Sequence, residues 1–211
     1  MTSFDTDCVL CPRLAAFLND VRADYPSYFA RPVPPFGDAG ARLVIVGLAP
    51  GMHGANASGR PFTGDHAGLI LYRTLHKFGF ASAPESLAAN DGLRLFDCRI
   101  TNAVKCLPPQ NKPVASEINT CNSWLSRELA QLPDNHVIIA LGGIAHKAVV
   151  SALGLKQSNH VFGHANEHAL DNGALIDSYH CSRYNTQTRR LTTPMFEKVF
   201  ERARKLMDSS N

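Results

Sequence analysis

Apolar residues gather into four short runs along the chain, RLVIVG (42–47), CRITNAVKC (98–106), HVIIALG (136–142) and ALIDSYH (174–180). Each is rich in β-branched or other apolar side chains and lacks a clean polar alternation, the pattern of strands buried on both faces. Between and around these runs apolar positions recur at helical spacing, over 66–79, 114–132 and 144–153, with flanking helices near 12–22 and 193–207. Strand alternating with helix predicts an α/β fold, a parallel sheet covered on both faces, with ligands bound beyond the carboxyl ends of the strands. The stretch DYPSYFARPVPPFGDAGA (24–41) is rich in proline, glycine and aromatics and is expected to be an ordered surface loop, and the tail MDSSN (207–211) is expected to fray. No internal repeat interrupts the pattern, and 211 residues suit one domain over 1–211.

Composition narrows the partners only slightly. The chain is 45% hydrophobic and 18% charged, with a formal net charge of +3, a balance that permits a polyanion-binding groove without requiring one. No run approaches the roughly twenty apolar residues of a membrane span, and the opening MTSFDTDCVLCPRL lacks the basic-then-apolar order of a secretion signal. A cytoplasmic protein is therefore expected, with no membrane partner. In a reducing compartment the six cysteines are read first as metal ligands where their spacing is organised. Cys8 and Cys11 form C-x2-C, which lets two thiolates reach one centre, and Cys106 and Cys121 offer a second pair. Spacing alone leaves zinc and an iron–sulfur cluster both open. Cys98 and Cys181 fit the habit of free cysteines to be buried.

The most unusual stretch follows the first run. GLAPGMHGANASGRPFTGDHAG (47–68) holds six glycines, and Gly54 and Gly59 have the spacing of a phosphate-binding loop. Arg60 and Pro61 stand where that motif needs lysine and a hydroxyl residue, so a nucleotide triphosphatase is not expected. GLAPGMHGANASGRPFTGD, TNAVKC and SYHCSRYNTQTRRLT lie at or just beyond the first, second and fourth runs. Together they resemble the uracil-DNA glycosylase superfamily, and within it family 5, the iron–sulfur type called class b. The likeness extends from the Cys8/Cys11 clip to Thr192; the related family 4 carries glutamate where this chain has Leu48.

The resemblance implies a three-layer α/β/α sandwich around a four-stranded parallel sheet. It implies a [4Fe–4S] cluster on Cys8, Cys11, Cys106 and Cys121. It also implies action on double- or single-stranded DNA carrying uracil or another deaminated base, hypoxanthine or xanthine among them, with an abasic site as product. Such an enzyme turns the nucleotide out of the stack, and its transition state places positive charge on the sugar and negative charge on the departing base. Asp65, the only acid of the glycine-rich loop, is the candidate for the sugar pole, orienting or deprotonating water; the same residue is well placed to cap the following helix. His180 is the candidate for the base pole, as a donor to the leaving base; the family usually has proline next, where this chain has Cys181. Gly47, Leu48 and Ala49 would line the base pocket, Asn102 would read the base edge with its amide, and Phe62 would stack on the base face. Ser182, Arg183, Tyr184, Asn185 and Arg189 would meet DNA phosphates or fill the gap left by the base.

Two other classes are weighed beside this enzyme, which is expected to be monomeric. One is a non-catalytic iron–sulfur module that binds nucleic acid. The other is a metal-dependent hydrolase, for which HANEH (164–168) supplies the H-x-x-E-H pattern. That pattern needs both histidines on one helix face, and Gly163 before it and Asn172-Gly173 after it leave about two turns with no third ligand in view, so this reading is disfavoured.

Overall fold

The computed structural model describes residues 4–209 and folds them around one sheet. In chain order the elements are α1 (Pro12–Asp24), β1 (Phe36–Gly37), β2 (Leu43–Gly47), α2 (Ala55–Ser58), α3 (His66–Lys77), β3 (Cys98–Asn102) and α4 (Ala115–Leu129). There follow β4 (His136–Leu141), α5 (Gly143–Ala152), β5 (Glu167–Leu170), β6 (Gly173–Ser178), α6 (Arg183–Gln187) and α7 (Thr193–Asp208).

The sheet order is β1-β3-β2-β4-β6-β5. Its inner four strands are parallel, as expected, while β1 and β5 add antiparallel edges that the hydrophobic pattern did not announce. β1 is two residues long and sits inside the expected 24–41 loop; β5 begins at Glu167, so HANEH (164–168) runs from a turn into a strand and forms no helix. Edges this short present few unpaired backbone groups to other chains.

Side-chain alternation on the strands sorts the core into layers. Leu43, Ile45, Ile100, Val137, Ile139 and Ile176 pack with Leu71 and Leu75 of α3 and with Phe196, Val199 and Phe200 of α7. Val44, Val46, Ile138, Ala140 and Leu175 pack with Leu125 and Leu129 of α4 and with Ala145, Ala148 and Val149 of α5. The result is the expected α/β/α sandwich. A third cluster joins Leu14, Leu18 and Val21 of α1 to Val104, Cys106, Leu107 and Cys121. The expected fraying holds for neither Met207 nor Asp208: both complete α7, where Met207 is fully buried, and residues 210–211 lie outside the described residues.

Strand order places the site. The chain leaves β2 to build β3 on one side and later β4 on the other, so the carboxyl end of β2 opens into a crevice between diverging connections. Gly47, Asn102, Leu141 and Ser178 end the four parallel strands at that edge.

Candidate active site

A cavity of about 450 Å³ opens at this edge, lined among others by Leu48, Ala49, Phe62, Asp65, Asn102, Gly142, His180 and Ser182. Each strand end delivers a different group to it. β2 ends in Gly47, where a Cβ would fall 2.4 Å from Asn102 Oδ1 and 2.7 Å from Phe62 Cζ, so only glycine lets the two approach. Leu48 and Ala49 continue along the wall, their course fixed by Val104 N–H donating to the Leu48 carbonyl at 2.9 Å. Phe62 is buried with a left-handed φ of 58°, and its ring runs near-parallel to that of His180, 25° between planes and 6.1 Å between centroids.

Asp65 is the N-cap of α3, its Oδ1 accepting from Gly68 N–H at 2.8 Å. Gly54 clears room beside it, since a Cβ there would lie 2.6 Å from Asp65 Cβ. Burial raises the carboxyl pKa above the ordinary aspartate value, against the lowering effect of the Gly68 hydrogen bond and of His66. Asn102, at the end of β3, is buried, and its Oδ1 has no hydrogen-bond partner among the described residues. Burial alone pulls the His180 imidazole down to about 4, so the ring is neutral near pH 7, and its Nδ1 is also unpartnered among the described residues.

His180 stays seated with Cys181 as its neighbour. Cys181 is fully buried and its thiol donates to the Ala67 carbonyl at 3.5 Å, while Asn185 Nδ2 donates to the His180 carbonyl at 2.8 Å. Asn185 thus commits one amide hydrogen to the loop that carries His180. Ser182 caps α6 through Asn185 N–H and reaches the cavity lining. Arg183, Tyr184 and Arg189 are exposed on and just after α6, the helix that Ser182 of the cavity lining caps. His66 Nε2 lies 3.0 Å from Thr186 Oγ1 and ties α3 to α6.

GGIAHKAV (142–149) is expected from sequence to offer backbone amides or Lys147 to a phosphate, and its Gly142–Gly143 turn lines the cavity while Lys147 does not. Two features were not read from the sequence. Asn111 reaches the cavity from a left-handed turn with φ of 56°. Tyr25, Tyr28 and His53 group beside the glycine-rich loop, Tyr28 Oη being 2.8 Å from His53 Nδ1. Arg60, which failed the phosphate-loop motif, holds the loop in place instead. Its buried guanidinium donates to Asp91 at 2.7 Å, to Ser86 at 3.0 Å and to the Ala89 carbonyl.

Cys8, Cys11, Cys106 and Cys121 line one small pocket with Phe4, Lys105 and Trp124. Cys106 is pushed up to about 12 by burial and by the neighbouring Cys121, Cys8 and Cys11. Arg13 of α1 grips Glu117 of α4 through two hydrogen bonds of 2.7 and 2.8 Å, bracing the two helices that hold Cys11 and Cys121. No three of the four thiol sulfurs lie within 4.8 Å of one another.

Comparison with known proteins gives a consistent picture. A family profile described as "Uracil DNA glycosylase superfamily" matches residues 34–204. A type-5 uracil-DNA glycosylase of Thermus thermophilus is 48% identical over 95% of this chain and 94% of its own. Those of Mycobacterium bovis (42%, over 94% of this chain and 78% of the other) and Pyrobaculum aerophilum (39%, over 93% and 88%) are similar along most of their length.

Proposed function

The chain belongs to the uracil-DNA glycosylase superfamily and is a glycosylase, and on that premise we propose that it excises uracil, hypoxanthine and xanthine from DNA by hydrolysis, leaving an abasic site. The observation that carries the reading is the buried, unpartnered Oδ1 of Asn102 in the same cavity as Asp65 and a neutral His180. An unpaired buried acceptor costs free energy until a donor reaches it. Uracil has a ring N–H beside a carbonyl, and so do hypoxanthine and xanthine; cytosine and adenine, the parents of the first two, lack it. One amide oxygen thus separates uracil from cytosine and hypoxanthine from adenine, while thymine and guanine carry the same ring N–H and are not distinguished by it.

In the proposed reaction the extruded base enters against Phe62, with its ring N–H on Asn102. As the C1′–N bond lengthens, the Asp65 carboxylate faces the growing positive charge and orients the water whose oxygen bonds to C1′. The neutral His180 donates a hydrogen bond to the base oxygen as negative charge gathers there; the base leaves with its electron pair and takes a proton from solvent, while the attacking water gives up one proton to Asp65 and thence to solvent. The exposed Arg183 and Arg189, on and just after α6, suit phosphate contacts.

We further assign Cys8, Cys11, Cys106 and Cys121 to a [4Fe–4S] cluster. The Cys8/Cys11 clip, Cys106 and Cys121 bring four thiols from three separate segments to one pocket, a donor set that thiophilic centres take. When bound, such a cluster supplies a cross-link between the N-terminal clip and α4.

The test is base release from defined duplexes holding uracil, hypoxanthine or xanthine, with abasic sites revealed by alkali, for wild type, Asp65→Ala and His180→Ala. Release by the wild type that falls by orders of magnitude in either variant supports the reading. An iron-loaded wild type that releases none of the bases refutes it.

A further inference from the structure

A second chemical centre lies behind the cavity wall. Among the described residues one set of three ligand-type side chains has its donor atoms all within 4.8 Å of one another, His146 of α5, His168 of β5 and Asp177 of β6. Asp177 is fully buried, and its carboxylate accepts from Gly163 N–H at 3.2 Å while facing His146 Nδ1 at 2.7 Å and His168 Nε2 at 3.2 Å. The other nitrogen of His146, Nε2, is 2.8 Å from the His160 carbonyl. A carbonyl only accepts, so Nε2 carries its hydrogen. In a neutral ring Nδ1 then points a lone pair at a carboxylate oxygen. Something positive must stand between them, either a second ring proton or a cation.

We propose that His146 Nδ1, His168 Nε2 and the Asp177 carboxylate form a binding site for a divalent transition metal of the zinc class. Two imidazoles and one carboxylate are the donor set such ions take, whereas magnesium and calcium prefer oxygen alone. A hydrogen bond from the second ring nitrogen to a backbone carbonyl, as His146 makes to His160, is the usual outer support of a ligating histidine. Metal entry displaces the proton held between His146 and Asp177, so one proton leaves for each ion bound. His168, with 11% of its side chain exposed, is the route in from solvent.

The centre is structural. It joins α5, β5 and β6, and it does not line the cavity. Its reach to the base pocket runs through Phe162, whose ring is 5.6 Å from that of His146 and stands over Gly143 on the cavity wall. The H-x-x-E-H pattern thus contributes one histidine from a strand, in partnership with residues the motif does not contain.

The experiment titrates zinc and cobalt into cluster-loaded protein previously stripped of loosely held metal, reading zinc and iron per chain by mass spectrometry, proton release and the thermal midpoint. One zinc per chain in addition to iron, a released proton and a raised midpoint are expected. Cobalt should give visible d–d bands without thiolate charge transfer, which separates this site from the cysteines. His168→Ala should bind zinc weaker by more than the about 10- to 100-fold that loss of an outer-shell partner costs, with iron content and circular dichroism unchanged. His168→Cys should keep cobalt and add a thiolate charge-transfer band. Equal zinc binding by wild type and His168→Ala, no zinc bound at micromolar concentration, or cobalt that reports thiolate ligation in the wild type would each overturn the proposal.

Discussion

Asp65 divides its labour between two oxygens. Oδ1 caps α3, and the remaining oxygen faces the space that Gly51 and Gly54 leave open. Asparagine caps a helix about as well as aspartate, so Asp65→Asn is expected to keep the fold and remove the charge. Because burial raises the Asp65 pKa, the ionised carboxylate costs stability at neutral pH, and the variant should melt no lower than wild type. Its turnover should fall by about 100- to 10,000-fold, the range for loss of a general base; unchanged turnover would remove Asp65 from the chemistry. In the wild type the rate should decline as pH falls through a value above the ordinary aspartate range. His180 behaves oppositely toward acid. Its folded pKa of about 4 lies below the ordinary 6.5, so the unfolded chain binds more protons between these values and stability is lost as pH falls from 6.5 towards 4. The full loss is about 3 kcal/mol. Denaturant unfolding at pH 7 and pH 4.5 should show a larger drop for wild type than for His180→Gln.

At the scale of elements, the turn joining β4 to α5 sets where His180 sits. Gly142 has φ of +96°, and a Cβ there would meet His180 Cβ at 3.4 Å. With ψ of 159° this is an extended, positive-φ backbone essentially reserved for glycine, so Gly142→Ala is expected to cost about 1–3 kcal/mol and to lower turnover further than stability explains, as seen by comparing kcat with the unfolding midpoint. Such placements explain what the sequence disclosed. Asp65, Asn102 and His180 were legible because each stands at or past the end of an apolar run long enough to announce a strand, and parallel strands deliver their carboxyl ends to one edge. β1 and β5 were not, since two and four residues carry too little pattern. Asn111 escaped because its left-handed φ is a property of the turn, with no periodic signal around it. Asn185 was legible as part of a motif, but its hydrogen bond to the His180 carbonyl is visible only in the fold.

For the whole molecule, the cysteine pocket brings the N-terminal clip to the loop after β3 and to α4, more than 90 residues away, and the Arg13–Glu117 pair braces the same junction. The chain's single tryptophan, Trp124, lines that pocket. Loss of the proposed cluster should therefore raise tryptophan fluorescence as its absorbing centre departs, and lower the thermal midpoint. A chelator or oxidant that removes iron without changing the emission would contradict the assignment of these four thiols.

The link between His66 and Thr186 spans 120 residues, and a similar span separates the loop bearing Asp65 from the turn bearing His180. Contacts this distant in the chain form late, after the loop-closure entropy of the intervening segments has been met. A partly folded copy in which these two segments have not met lacks the cavity that both of them line, so base release should appear only with the slowest refolding phase.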